Sequence, residues 1–386
     1  MVTAADTRAE LARLVAFPTV SRDSNMSLIA YVQERLREHG IDSRLVPNED
    51  GKKANLLATI GPNVEGGIVL SGHTDVVPID DQDWHTDPWQ LTERDGKLYG
   101  RGTCDMKCFL AAALAALPDF VNAGLPVPIH LAFSYDEEVG CAGVPSLIDL
   151  ITREVPQPRA VIVGEPTDMK VVTAHKGVTA VTATITGHEA HSSQTQLGVS
   201  AIMAAGRLIQ FVGDMTAENA SGANRDDNFE PDHTTMTVNV IEGGTALNIM
   251  AGHCTLTWDI RSLPGDDPQI YIERFRRFCE DEVVPDMRKV GPDCGIDIHV
   301  RAGTPALKFV PDSEAEQLCR QLTGDNAVRA VSFAAEAGQF QEAGLSTAIC
   351  GPGSIAQAHQ PNEFITLEQV ELGTRFMSDL IDNLSQ

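Results

Sequence analysis

The stretch GIVLSGHTDVVP, residues 67–78, decides the fold of this chain. Its apolar run predicts a short buried strand, and that strand ends at His73 and Asp75. The same arrangement recurs at residues 129–138, IHLAFSYDEE, and at residues 160–168, AVIVGEPTD, where a buried strand again leads into acidic residues. Apolar helices separate these strands along the chain. Strands that alternate with helices predict an α/β domain with a mainly parallel sheet.

A second kind of pattern fills the middle of the chain. Alternating strands rich in Thr and Val occur there, with two helices near residues 198–212 and 267–284, which is typical of an α+β module with a solvated sheet face. The chain has 386 residues, more than the roughly 250–300 at which a single core usually stops growing. We therefore predict a discontinuous α/β domain, residues 1–176 and 304–386, with an α+β domain of residues 177–303 inserted into it.

The amino-acid composition argues against some classes of binding partner and indicates a cellular compartment. The formal net charge of −25 repels phosphate groups, which argues against nucleic acid and anionic membrane surfaces as partners. The first residues lack a basic region followed by an apolar one, and no apolar stretch reaches the ~18 residues of a membrane span. We therefore expect neither a signal peptide nor a membrane partner. The expected location is therefore the cytoplasm, and in that reducing compartment the eight cysteines, which form no C-x-x-C pair, are expected to be free thiols.

Five short segments carry residue types that bind metals. Taken singly, each has an ordinary explanation: a structural histidine, a helix cap at Asp105, or a solvated pair at Glu137 and Glu138. Most of the segments follow predicted strands, however, and an open α/β sheet places its site at the carboxyl ends of its strands. Carboxylates that converge in a cleft repel one another unless a cation neutralises them. The candidates are His73, Asp75, Asp105, Glu137, Glu138, Glu165, Asp168 and His359.

The residue types in this set suit a site with two metal ions. Zinc accepts nitrogen from histidine and oxygen from carboxylates. Two zinc ions ~3.5–4 Å apart need one bridging carboxylate and two terminal ligands each, which two histidines and three carboxylates supply. One acidic residue is then left to act as a general base. The set as a whole predicts a hydrolytic centre.

Five motifs in this order resemble those of the M20 family of metallopeptidases and deacylases: GHTDVVP, GRGTCDMK, DEE, GEPT and AHQPNE. The resemblance covers essentially the whole chain. It implies a zinc-exopeptidase-like catalytic domain with a mainly parallel sheet, together with an inserted α+β lid domain that many members use to dimerise. The motifs AHKG, GHEAHSS, DIRSLPG and GPGSIAQAHQPNE point to the deacylase branch of the family.

The resemblance assigns metal ligands residue by residue. His73 and Glu165 would bind one zinc ion, and Glu138 and His359 would bind the other. Asp105 would bridge the two ions. In sites built from nitrogen and oxygen ligands, cobalt or manganese can replace zinc.

Two acidic residues next to these ligands receive other roles from the resemblance. Asp75 would orient the imidazole of His73 through its second ring nitrogen, as carboxylates behind metal ligands commonly do. Glu137 would be the general base, which takes a proton from the attacking water and delivers it to the leaving amine.

Further residues correspond to the family's substrate site. His191 matches the lid histidine, which in the family reaches the partner subunit's active site and polarises the scissile carbonyl, so a homodimer is expected. Asn248 and Arg261 would hold the substrate carboxylate, and a planar guanidinium suits a carboxylate because it donates two parallel hydrogen bonds. The alternative for Arg261 is an ordinary surface salt bridge.

Three residues near the end of the chain are weaker substrate-site candidates. Gly351 and Gly353 lie on a predicted tight loop before His359, where a bare backbone would approach the substrate closely. Glu336 matches an acidic family position in a segment, SFAAEAGQF, that otherwise departs from the family pattern. It would pair with a substrate ammonium group, or it would be a charge bound to the protein scaffold.

The predicted reaction is hydrolysis of the amide bond of N-acyl-L-amino acids. The resemblance implies N2-acetyl-L-ornithine as the preferred substrate, which would give L-ornithine and acetate as a step of arginine biosynthesis. The first alternative is another specificity on the same scaffold, a dipeptidase, carboxypeptidase or broad aminoacylase. The second is a non-catalytic protein that binds amino acids or metal, although such a protein would have no need for the base.

Overall fold

The computed structural model describes residues 1–301 and 303–385. Helices and strands are numbered in chain order. The helices are α1 (Ala4–Val15), α2 (Met26–Glu38), α3 (Lys107–Ala115), α4 (Leu117–Asn122), α5 (Val144–Glu154), α6 (Ala201–Ser221), α7 (Pro268–Phe278), α8 (Val284–Arg288), α9 (Glu314–Thr323), α10 (Ala337–Glu342) and α11 (Leu367–Leu384). The strands are β1 (Ser43–Pro47), β2 (Ala54–Ile60), β3 (Ile68–His73), β4 (Thr92–Arg94), β5 (Lys97–Tyr99), β6 (Ile129–Ser134), β7 (Ala160–Val163), β8 (Ala174–His175), β9 (Gly177–Thr186), β10 (Thr235–Gly243), β11 (His253–Ser262), β12 (Gly295–Val300), β13 (Ala330–Val331), β14 (Thr347–Ile349) and β15 (Phe364–Thr366).

The chain divides into two compact units. The first consists of Met1–Ala174, Leu307–Arg329 and Ala335–Gln386, and the second of His175–Ala306 and Ala330–Ala334. The second unit therefore interrupts the first along the sequence. Within the described residues, no helix combines the length and apolar character that a bilayer crossing demands.

The first unit is built on a six-stranded sheet with the order β1-β2-β6-β3-β7-β14. Strands β6, β3, β7 and β14 run parallel to one another, whereas β1 and β2 are added antiparallel at one edge. Every residue of β3, β6 and β7 is buried. Strands covered on both faces have continuous apolar sequences, which explains the runs that predicted them. The predicted α/β class with a mainly parallel sheet is confirmed.

Helix α3 lies at the centre of this unit. It packs against β3 and against α1 and α11, and all its residues from Lys107 to Leu114 are buried. Because this helix is covered on every side, it has no polar face, and its sequence is correspondingly rich in Ala and Leu. Its residue Phe109 approaches the backbone at Gly164, where a β-carbon would lie 2.0 Å from the phenyl ring. This close packing brings the start of α3 under the carboxyl ends of β3 and β7.

The second unit contains an antiparallel sheet with the order β10-β11-β9-β12. Side chains of β9 alternate between buried and half-buried, so one sheet face packs on α6 and α7 and the other is partly solvated. We predicted the first helix near residues 198–212, but α6 continues to Ser221. It does so because Met215 is buried in the core and Thr216 exchanges hydrogen bonds with the backbone of Met236.

Candidate metal centre and active site

Four parallel strands of the first unit end at one cluster of side chains. Strand β3 ends at His73, β6 leads into Glu137 and Glu138, and β7 leads into Glu165. Strand β14 leads into the loop that carries His359. Asp105 joins the cluster from the turn before α3. The structure therefore brings all five predicted ligands and the predicted base to the carboxyl edge of the sheet.

The distances divide the cluster into two halves that share Asp105. In one half, Nε2 of His73 lies 3.1 Å from Oδ1 of Asp105 and 3.8 Å from Oε1 of Glu165. In the other, Nε2 of His359 lies 3.3 Å from Oδ2 of Asp105 and 2.9 Å from Oε2 of Glu138. Each oxygen of Asp105 thus faces a different histidine.

The cluster contains more buried negative charge than its own side chains neutralise. Burial raises the pKa of Glu137, Glu138 and Glu165, and the charges of neighbouring carboxylates raise each pKa further. Oε1 of Glu138 and Oε1 of Glu165 are buried and accept no hydrogen bond from the described residues. Buried carboxylate oxygens without donors are stabilised by a cation. These residues therefore fit divalent metal ions.

The two histidines respond to the same carboxylates. Burial alone would lower the pKa of His73, but the hydrogen bond to Asp105 and the charge of Glu165 outweigh it, so the pKa rises. Hydrogen bonds to Asp105 and Glu138 raise the pKa of His359 to about 10. The carboxylates thus favour a positive charge beside them, which a cation bound between them and the imidazole nitrogens would supply.

The ordinary explanations for single residues of the cluster do not describe this structure. Helix α3 begins at Lys107, and no side chain caps it, so Asp105 is not a helix cap. The side chain of Glu138 is only 6% exposed, so Glu137 and Glu138 are not a solvated pair. Asp168 lies outside the cluster, with an exposed side chain on a turn beside the α9–α11 surface.

Comparison with known proteins fits this arrangement. The profile of peptidase family M20/M25/M40 matches residues 69–383. The chain belongs to this family. An acetylornithine deacetylase from Myxococcus xanthus is 35% identical to this M20 hydrolase over 94% of this chain and 93% of its own. One from Pasteurella multocida is 33% identical over 95% of each chain. The predicted family is thereby confirmed.

Solved structures share the fold of this M20 hydrolase at low sequence identity. An M20 family metallo-carboxypeptidase from Sulfolobus solfataricus has a TM-score of 0.79 at 17% identity and covers 98% of this chain and 99% of its own. A Bacillus subtilis protein described as a dinuclear metal-binding peptidase of the M20 family has a TM-score of 0.64 at 15% identity, with 97% of each chain covered.

Asp75 supports the cluster of this M20 hydrolase differently from the prediction. The ring nitrogen Nδ1 of His73 donates to the backbone carbonyl of Asp75 at 2.9 Å, whereas the nearest carboxylate oxygen of Asp75 is 3.7 Å away. The carboxylate instead accepts hydrogen bonds from the backbone N–H groups of Glu137 and Glu138 at 3.2 and 3.3 Å, and from the hydroxyl of Ser21 at 2.7 Å. The side chain of Asp75 therefore holds the turn that carries Glu137 and Glu138.

Glu363 is a supporting residue that the sequence analysis missed. It is 1% exposed, and its Oε1 accepts hydrogen bonds from the backbone N–H groups of Cys104 and Asp105 at 2.8 and 3.1 Å. Its Oε2 accepts from Gly102 N–H at 3.0 Å and from the buried guanidinium of Arg101 at 2.8 Å. Glu363 thereby fixes the turn that presents Asp105. The sequence feature that could have indicated Glu363 is its place in the motif AHQPNE, four residues after His359.

The structure accounts for Gly351 and Gly353 without a substrate. A β-carbon on Gly351 would lie 2.0 Å from the carbonyl oxygen of Gly164, and one on Gly353 would lie 2.7 Å from Sγ of Cys104. The carbonyl of Gly351 accepts from Met169 N–H at 2.9 Å, and Gly353 N–H donates to a side chain of α11. The close approach that we predicted is therefore to the protein's own chain, which holds the turn after Glu165.

Glu336 is a buried scaffold residue in this structure. It is 1% exposed, and its two carboxylate oxygens accept hydrogen bonds from the hydroxyls of Ser71, at 3.2 Å, and Ser134. Burial raises the pKa of Glu336 to about 7. The carboxylate lies between the ends of β3 and β6, and the predicted contact with a substrate ammonium group stays a prediction. In this structure Glu336 is a charge bound to the protein scaffold, which is the second of the two alternatives given above.

The remaining candidates lie in the second unit. The backbone of Ser192, next to His191, donates to the carbonyl of Asn248 at 3.0 Å, so these two candidates are adjacent and both are exposed. The imidazole of His191 contacts the hydroxyl of Ser193 at 2.8 Å. On β11, Nε of Arg261 donates to Asp259 at 2.9 Å, and the side chain of Arg261 is partly exposed. All three side chains are at the surface of this unit.

Proposed function

We propose that this chain is a two-metal hydrolase of N-acyl-L-amino acids and that its preferred substrate is N2-acetyl-L-ornithine. The products would be L-ornithine and acetate, as in a step of arginine biosynthesis. The observation that carries the two-metal part is the division of the Asp105 carboxylate, which offers one oxygen to each half of the cluster. The names of the curated relatives support the choice of substrate.

In this proposal the five clustered ligands hold two zinc ions. His73 and Glu165 hold one ion, Glu138 and His359 hold the other, and Asp105 lies between them. The dinuclear site named for the Bacillus subtilis relative supports this count, and cobalt or manganese can occupy such ligands. When bound, the ions would polarise the acyl carbonyl and lower the pKa of water towards ~7.

Glu137 is the proposed general base. It lies within 4.8 Å of ligand atoms of His73 and Glu165, yet one of its oxygens already accepts a hydrogen bond from a neighbouring thiol. Its burial raises its pKa, which strengthens it as a base for water. Glu137 would take the proton of the attacking water and deliver it to the departing amine nitrogen, so that acetate and a free amino acid leave.

Arg261 and Asn248 are the proposed partners of the substrate carboxylate, and His191 the proposed donor to the acyl oxygen. A guanidinium donates two parallel hydrogen bonds to a carboxylate. A donor that faces the developing oxyanion stabilises the transition state more than the ground state. Exposure of all three side chains in the second unit leaves them accessible to a ligand.

A homodimer formed through the second unit completes the proposal. Strand β10 is an edge strand, and apolar side chains are exposed on it, on α6 and on the loop after β10. An exposed apolar patch beside an open sheet edge is typical of an interface. The residues are Met203, Val240, Ile241 and Leu247.

The eight cysteines, all within the described residues, form no disulfide, which supports the cytoplasm as the compartment.

Subunit mixing tests whether His191 acts on the active site of the other chain. Neither His191→Ala nor Glu137→Ala homodimers should be active. Mixed dimers should recover part of the wild-type activity, because one of their two sites combines an intact His191 with an intact Glu137. The measurement is kcat after exchange of differently tagged subunits. Absence of recovery, when mixed dimers are isolated on both tags, would place His191 at the site of its own chain.

A substrate panel tests the function as a whole. Protein of measured metal content should show its highest kcat/KM on N2-acetyl-L-ornithine, lower values on other N-acetyl-L-amino acids, and lower values still on dipeptides. A preference for dipeptides would instead favour a peptidase. No turnover on any compound by fully loaded protein would favour a binding protein. Chelation should abolish turnover, and added zinc should restore it.

Glu336→Gln should alter the deacylation of charged and uncharged substrates equally. Because Glu336 is buried between Ser71 and Ser134, its replacement would act through the strand ends and not through the substrate side chain. We expect the same fold-change in kcat/KM on N2-acetyl-L-ornithine and on N-acetyl-L-methionine. A loss confined to acetylornithine would restore Glu336 as a residue that recognises the ammonium group.

A further inference from the structure

Cys141 contacts the carboxylate of Glu137 from the turn that follows β6. Its thiol Sγ lies 3.3 Å from Oε1 of Glu137 and donates a hydrogen bond to it. In the same turn, the backbone N–H groups of Gly140 and Cys141 donate to the carbonyl of Glu137 at 2.9 and 2.7 Å. The turn therefore holds Glu137 at both its backbone and its side chain.

The turn itself is fixed on both sides. Cys141 is 2% exposed and has a φ of +52°, a left-handed conformation that side chains other than glycine rarely adopt. Its carbonyl accepts a hydrogen bond from Nε2 of Gln339, in α10, at 3.1 Å. On the other side, the backbone N–H of Glu137 donates to Asp75. The thiol is thus anchored independently of the carboxylate that it contacts.

An anchored donor limits the rotation of the carboxylate. The last torsion of a glutamate side chain is broad and roughly two-fold, so a carboxylate without a donor exchanges its two oxygens and tilts freely. The thiol of Cys141 occupies Oε1 of Glu137, so Oε2 is the oxygen that this contact leaves available. Proton transfer needs the base within hydrogen-bond reach of the proton and correctly aligned. A small rotation would remove that alignment.

We propose that Cys141 is a positioning residue for the general base: its thiol holds Oε1 of Glu137 so that Oε2 receives the proton from water. This assignment rests on the proposed role of Glu137. Cys141 would then have a role in the reaction, whereas the sequence predicts only that its thiol is reduced. Because Cys141 acts through the base that it contacts, its effect should fall on kcat rather than on substrate binding.

Three substitutions separate the thiol's hydrogen bond from the backbone of the turn. Cys141→Gly removes the donor and suits the positive φ, Cys141→Ala removes the donor in a side chain with a β-carbon, and Cys141→Ser keeps a donor. We expect the glycine and alanine variants to lose roughly five- to tenfold in kcat, with KM and metal content unchanged. The serine variant should stay within about threefold of the wild type.

A double-mutant comparison identifies the route of the effect. In a Glu137→Ala background, Cys141→Gly should change the residual rate by less than about twofold, because the group that the thiol positions is absent. An equal loss in both backgrounds would mean a general structural role and overturn the proposal. So would a Cys141→Gly enzyme as fast as the wild type, or a serine variant as slow as the glycine variant. If Glu137→Ala itself stays active, the proposed base is wrong, and that outcome is distinct from a failure of Cys141 alone.

Discussion

Replacing Glu137 with alanine should lower kcat by about 10²–10⁴-fold while the metal content stays at that of the wild type. The reason is that each proposed metal position has its own histidine and carboxylate and shares Asp105, so neither of them needs Glu137 as a ligand. The measurement pairs steady-state kinetics on N2-acetyl-L-ornithine with metal analysis of the same preparation. Glu137→Gln, which keeps the size of the side chain, should be nearly as slow.

The adjacent residue provides the matched control. Glu138 lies 2.9 Å from His359 and has one buried oxygen without a donor among the described residues, so Glu138→Ala should lose metal as well as activity. If Glu137→Ala lost metal and Glu138→Ala retained it, the two roles would have to be exchanged.

Asp105→Ala should have the broadest effect of any substitution in the cluster. Asp105 faces both histidines, so its removal should weaken both proposed metal positions, whereas His359→Ala should lose about one equivalent of zinc and retain the other. Activity should fall to background in both variants. Ligands that bind only the folded state stabilise it, so the rise in melting temperature that zinc gives the wild type should disappear in Asp105→Ala.

A nearby acidic residue outside the cluster is the control for Asp105. Asp168 is exposed and has a positive φ, which asparagine tolerates, so Asp168→Asn should bind zinc and turn over substrate like the wild type. Retention of two zinc equivalents by Asp105→Ala would contradict the bridging role.

The sequence predicted the family, the α/β class and the edge of the sheet where the cluster lies. It could do so because continuous apolar strands and the residues just after them are local features of the chain, and parallel strands must end at the same edge. His73, Glu137, Glu138 and Glu165 all belong to this category.

The residues that escaped prediction depend on contacts between distant segments or on side-chain depth. Glu363 binds backbone N–H groups some 260 positions away in sequence, and no local pattern indicates such partners. Glu336 matches an acidic position of the family in the sequence. Such a match does not show whether the carboxylate faces the cleft or the sheet. A glycine pattern does not show what packs against Gly351, so the sequence could not reveal that the protein's own backbone does.

The dependence of Asp105 on Glu363 has a consequence for biosynthesis. Chains are synthesised from the N-terminus, and His73, Asp105, Glu138 and Glu165 leave the ribosome long before His359 and Glu363. Until those last residues emerge, the turn at Asp105 lacks its anchor and the second histidine is missing. The full set of proposed ligands therefore exists only once the chain has been made as far as Glu363, and a shorter nascent chain would offer a divalent ion the acidic residues without the second histidine.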